Sequence, residues 1–222
     1  MGTSPAVLTN AVWALAHQKN PVVPDEIVVL ITKNGKGLLR KELIENGVWE
    51  EMLAEMKREK IDIDGRLVFG ETSIRMVPDA RGNEIDDLRT GEDNLRAADF
   101  MLSQLRQYTE DGGTELHVSI AGGRKTMSAL LFSCMTLLGR ENDKVYHELL
   151  PSEFDGGMEP VFYFLKKGGK TQVTPYWDDM HWREDVERAF RSPVRAPARL
   201  VSGQVLRPVD RRRTRVILTS QH

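Results

Sequence analysis

The sequence predicts an α/β fold: a mainly parallel central sheet flanked by helices, followed by a basic C-terminal extension. Three observations carry this. Strand-like apolar runs alternate with segments of helical periodicity. The run EIVVLIT, Glu26–Thr32, is apolar throughout, as a strand covered on both faces requires. The stretch LHVSIAGGRKTMSALL, Leu116–Leu131, passes from strand alternation through Ala-Gly-Gly and two cations into a helical pattern. That order of elements is how proteins cradle phosphate.

In chain order, Ser4-Pro5 opens the first helix, since serine caps well and proline at the first helical position forfeits no hydrogen bond. Val7, Leu8, Val12, Trp13 and Leu15 supply its apolar face to about His17. Asn20 to Pro24 is a loop before the Glu26–Thr32 strand. Residues 36–58 read as two helical pieces parted at Asn46-Gly47. RLVFGE, Arg66–Glu71, reads as a short strand, and residues 79–88 as a loop. Thr90 starts a long helix, with Asp93 placed to complete a capping box. Leu95, Ala98, Met101, Leu102 and Leu105 repeat along it at helical spacing. The strand Glu115–Ala121 leads into a helix over Lys125–Leu138. Residues 143–150 and 160–165 are two further strands, expected as an antiparallel pair at one edge. WDDMHWREDVERAF holds a short helix, and the tail after it reads as irregular. Ligands of such sheets bind beyond the carboxyl ends of the strands, so the loops after Ile31, Gly70 and Ile120 are expected to frame the site.

Composition narrows the class. The chain has 222 residues, 40% apolar and 29% charged, as a globular domain of ordinary size with an appendage does. A single cysteine, Cys134, excludes an internal disulfide and a cysteine zinc cluster, and its apolar surroundings make it a buried small hydrophobe. No apolar run reaches the roughly 20 residues of a membrane span. Residues 1–19 lack the pattern of a signal peptide, so a cytoplasmic location is expected. Charge is unevenly spread. Residues 191–222 hold eight arginines and one acid, near +7, and residues 1–190 hold 23 basic and 32 acidic residues, near −9. Such a tail can seek nucleic acid or dock on its own acidic body.

The sharpest motif is the turn Ala121-Gly122-Gly123-Arg124-Lys125-Thr126. Its glycines let backbone approach an anion, and the following helix offers free N–H groups and the positive end of its dipole. A P-loop is excluded, because Arg124 separates Gly123 from Lys125 and no glycine stands at position 118. ATP hydrolysis goes with it. The plain alternative is a tight turn with a solvated Arg and Lys. Arg89-Thr90 with Asp93, Asn94 and Asp99 forms a second polar cluster, in which Thr90 and Asp93 cap a helix. Gly2-Thr3-Ser4-Pro5 is a third helix start. Asp178, Asp179 and His181 lack the spaced partners of a metal site, and none is expected.

Together, GTSPAVLTNAVWAL at the start, DDLRTGEDNLRAAD at 86–99 and LHVSIAGGRKTM through Gly139-Arg140 resemble the CARF-domain CRISPR-associated ring nucleases. The resemblance spans roughly residues 2–165. It implies a Rossmann-like CARF domain over 1–174, with 175–222 as a C-terminal extension. It also implies a homodimer that binds cyclic oligoadenylate, most often cyclic tetra-adenylate, across its two-fold axis. Such enzymes need neither metal nor cofactor. They cut the ring to linear di-adenylate ending in 2′,3′-cyclic phosphate and so switch off type III CRISPR signalling.

On that resemblance Lys125 and Ser4 are the expected catalytic residues. Thr3, Arg89, Thr90, Asn94, Ala121, Gly122, Gly123, Arg124 and Thr126 are the expected ligand contacts. Two rivals stay open: a CARF sensor that binds the ring uncut and signals through its basic tail, and a nucleotide-binding metabolic enzyme of similar topology. Arg140 and His147 fit the spacing of HEPN ribonucleases, but Gly139 ends a helix and His147 falls in an expected strand, against that motif's helical setting. One departure matters. The family carries an apolar strand directly before Gly-Thr-Ser-Pro, whereas here Met1 precedes Gly2. That strand would lie centrally, so upstream residues or another segment must supply it.

Overall fold

A computed structural model describes residues 5–147, 163–164 and 213–220. Its centre is a five-stranded sheet with every pairing parallel: β1 (Glu26–Ile31), β2 (Ile74–Met76), β3 (Thr114–Ser119), β4 (Lys144–Tyr146) and β5 (Arg213–Ser220), in the order β2-β1-β5-β3-β4. The α/β class and helix-flanked parallel sheet are as expected.

The apolar run of β1 explains itself. Ile27, Val29 and Ile31 face one core, while Val28 and Leu30 face the other. The first core is closed by α1 (Ala6–Ala16), α2 (Lys33–Leu39), a π-helical turn over Arg40–Glu45, and α3 (Val48–Arg58). Gly47, at φ +72°, parts the last two, where the sequence placed the break. The second core is closed by α4 (Gly91–Thr109) and α5 (Lys125–Leu138). Along α4 the buried face is Ala97, Met101, Leu105 and Tyr108, and Leu95 is left exposed. Cys134 is buried in the same core.

The chief surprise is β5. Residues that read as basic tail form the middle strand of the sheet and fill the central place expected for the missing strand. Val216, Ile217 and Leu218 are almost wholly buried, and they alternate between the two cores as β1 does. The tail's charge helps seat it. Arg215 pairs across the sheet with Glu26 at 2.6 Å, donates to Thr114 Oγ1 at 2.8 Å and lies 4.8 Å over the Tyr108 ring. Docking on the acidic body is thus what Arg215 does. The expected boundary near residue 174 and the helix in WDDMHWREDVERAF lie outside the described residues.

Two smaller expectations need correction. Arg66–Glu71 is not a strand: Leu67 takes φ +55°, and only Val68 makes an isolated bridge to Glu26. The edge strand is instead Ile74–Met76, so the loop beyond it begins at Val77 rather than after Gly70. β4 pairs with β3 in parallel. Of residues 160–165 only Tyr163 and Phe164 are described, and they are not in a strand. They pack on α1: the Trp13 and Phe164 rings lie 5.2 Å apart, and Thr9 Oγ1 donates to Tyr163 O at 2.6 Å.

At the opposite edge from the strand ends, Arg140 is a structural clasp. It donates to Asp143 from its backbone and guanidinium at 2.8–3.0 Å, and to the carbonyls of Asp111 and Thr114. Asp143 also accepts from Leu116 N–H at 2.9 Å, and its side chain is 1% exposed. Asp143→Ala removes the charge partner of the Arg140 guanidinium and the acceptor of a strand amide, and should lower the unfolding free energy by about 3 kcal/mol. A urea titration with an unshifted midpoint would contradict that role.

Candidate functional site

Because the sheet is all parallel, every strand delivers its carboxyl end to the same edge. There α1, α4 and α5 also begin. Val7, in the first turn of α1, lies beside Gly122, and Asp87, before α4, pairs with Arg124 at the start of α5. The N-termini of three helices of at least 11 residues therefore converge, each presenting the positive end of its dipole.

The glycine turn is built closely against β5. A Cβ on Gly122 would collide with the carbonyl of Thr219, so no other residue fits. Gly123 takes φ +84°, which favours glycine again. Its N–H has no acceptor among the described residues. Arg124 is the N-cap position of α5, and Lys125 and Thr126 are exposed in its first turn, with Ala121 half-buried before it. Lys125 makes no ion pair among the described residues, so its ammonium is available to a ligand.

Arg124 differs. Its guanidinium grips Asp87 in a two-pronged pair, Nε lying 2.7 Å from Oδ1. Asp87 also accepts from Leu88 N–H at 2.8 Å and from Arg89 Nε at 3.4 Å. Burial pushes the Asp87 carboxyl up, but Arg124, Leu88 N–H and Arg89 together outweigh it and hold it below the ordinary carboxylate range. The same contact raises Arg124 above its usual value.

The second cluster is mostly a helix start. Thr90 Oγ1 accepts from Asp93 N–H at 3.1 Å, and Asp93 Oδ2 accepts from Thr90 N–H at 2.8 Å and Arg89 N–H at 2.9 Å, completing the capping box. Asn94 Nδ2 donates to Thr90 O at 2.9 Å. The Arg89 side chain is left exposed beside Asp87.

Of the expected residues, Arg89, Thr90, Asn94, Ala121, Gly122, Gly123, Arg124, Lys125 and Thr126 thus gather at one edge. Thr3 and Ser4 lie outside the described residues, and Pro5 holds the N-cap position of α1. Two residues here escaped the sequence reading, and a third, His147, entered it only as half of a HEPN-like spacing. Thr219 is contributed by β5. Asp87 had no visible partner in sequence. His147 follows Tyr146, whose carbonyl accepts from Ile120 N–H at 2.9 Å, so it stands beyond β4 at this same edge.

Neither the curated proteins nor the solved structures give a match. A family model does: that of CRISPR-associated protein NE0113 matches residues 4–217, from the first helix to β5. The chain therefore belongs to the NE0113 family of CRISPR-associated proteins.

Proposed function

We propose that this protein is a CARF-type ring nuclease. As a homodimer it binds cyclic oligoadenylate, with cyclic tetra-adenylate as first choice, over the carboxyl edge of its sheets. It then cleaves the ring without a metal. The observation that carries this reading is the exposed Lys125 at the start of α5, which has no ion pair among the described residues and stands beside the Asp87–Arg124 pair. Membership in a CRISPR-associated family supports the ligand class. A symmetric ring suits a two-fold interface, which presents the same edge twice.

The chemistry needs no outside nucleophile. A ribose 2′-oxygen attacks the adjacent phosphorus in line, its proton is lost, and the 5′-oxygen leaves and takes up a proton. The products are a 2′,3′-cyclic phosphate and a 5′-hydroxyl, and two such cuts give two di-adenylates. Lys125 and the Gly123 and Arg124 N–H groups stabilise the charge that builds on phosphorus oxygens. Arg89 and Arg124 hold phosphate, and Thr90, Asn94, Ala121, Gly122 and Thr126 shape the surface around it. As the family resemblance implies, Ser4 is assigned to orient the 2′-hydroxyl and Thr3 to contact the ligand, and His147, exposed just beyond β4, is available to take the proton.

Calorimetric titration with cyclic tetra-adenylate tests the binding half. One ring per two chains is expected, with linear tetra-adenylate binding more weakly. No heat with either tetra- or hexa-adenylate rings would refute the reading. Tight binding with the ring left intact would select the sensor, with residues 191–212 as its arm toward nucleic acid.

A further inference from the structure

Gly122 O accepts two hydroxyl hydrogen bonds, from Thr219 Oγ1 and from Ser128 Oγ, both at 2.9 Å. Thr219 is 1% exposed, and Ser128 lies in the first turn of α5. A trans peptide unit points its C=O and its N–H in opposite directions. Two hydroxyls drawing the Gly122 carbonyl inward therefore turn the Gly123 N–H the other way, where no described residue accepts from it. We infer that Thr219 and Ser128 are positioning residues that aim the Gly123 N–H at the bound phosphate. The inference rests on the proposed reading of this edge for its ligand, though the clamp itself does not.

The arrangement has a physical logic. A glycine pair is the most pliable backbone there is, and Gly123 already occupies φ +84°. Left alone, the unit between Gly122 and Gly123 would rotate readily, and each approach of an anion would have to reorder it. Preorganised donors avoid that reordering at the moment of reaction. One clamp comes from β5 and the other from α5, so the central strand contributes to the site as well as to the sheet. Thr219 also keeps its carbonyl where a Gly122 side chain would stand, which makes glycine obligatory at the clamped position.

The test reads both ends of the peptide unit at once. An HNCO spectrum correlates the Gly122 carbonyl carbon with the Gly123 N–H. In the free protein, Thr219→Val, Ser128→Ala and the double variant should each shift the Gly122 carbonyl carbon upfield, as lost hydrogen bonds do, and Thr219→Ser should restore it. Inorganic phosphate and cyclic tetra-adenylate should each move the wild-type Gly123 proton downfield, and the double variant should lose that response. The double variant should also cut ring cleavage about 10²-fold, mostly in kcat. If Thr219→Val does not fold, Ser128→Ala and Thr219→Ser carry the comparison. An unmoved Gly122 carbon in the variants overturns the clamp. A wild-type Gly123 proton that answers neither phosphate nor the ring overturns the aiming. If it answers phosphate but not the ring, the clamp stands and the ring nuclease reading falls.

Discussion

Lys125→Ala should lower cleavage of cyclic tetra-adenylate by about 10²–10³-fold, the usual cost of deleting one donor to a transition-state oxyanion. Lys125 is exposed and makes no ion pair among the described residues, so the fold should not notice its loss. Binding should fall less than turnover, because Arg124, Arg89 and the backbone N–H groups still meet the phosphates. Lys125→Arg should recover only part of the rate, since a planar fork replaces a point charge. Single-turnover kinetics with saturating protein checks this. A Lys125→Ala protein of normal melting temperature and normal rate would remove the residue from the chemistry.

The second large effect concerns β5. Ending the chain before Arg213 deletes the middle of the sheet. β1 and β3 then lose their partner on one side, and Val29, Ile31, Val118 and their neighbours lose the apolar residues wedged between them. Each unmet strand amide in a dry interior costs of order 1–3 kcal/mol, so the truncated chain should show no cooperative melting transition. A milder version leaves the strand in place. Ile217→Ala, at a wholly buried position, should cost about 3–4 kcal/mol in a urea titration. A truncated chain that melts cooperatively near the intact protein's temperature would show that β5 is dispensable.

These two predictions also mark what the sequence made legible. β1 was plain because a strand buried on both faces must be apolar at every position. α4 was plain because Thr90 and Asp93 write their capping box into the chain locally. The glycine turn was plain for the same reason: its residues are consecutive. What escaped depends on partners distant in the chain. RVILTS carries the β-branched run of a buried strand, but the arginines before it gave it the composition of a tail, and it takes Glu26, Thr114, Tyr108 and Asp111 to turn Arg215 into an anchor. RLVF looked extended, yet the left-handed backbone at Leu67 breaks it and shifts the edge strand to Ile74–Met76. Asp87 looked like one acid among several until Arg124 closed on it from 37 residues away.

The same distinction explains the site. Lys125, Arg124 and the glycines are a local motif, whereas the groups that hold them, Asp87 and Thr219, arrive from a loop and from the last strand. Arg124 is paired with Asp87, and that leaves Lys125 as the cation of the turn with no ion pair among the described residues. On the proposed reading, catalysis falls to Lys125 and holding to Arg124.

The most direct measurement is mass analysis of cyclic tetra-adenylate after incubation with the purified protein in EDTA. The expected product is linear di-adenylate with a 5′-hydroxyl and a 2′,3′-cyclic phosphate, formed at the same rate with and without the chelator. A ring recovered intact, at protein concentrations in excess of ligand and after prolonged incubation, would contradict the assignment of this protein as a ring nuclease.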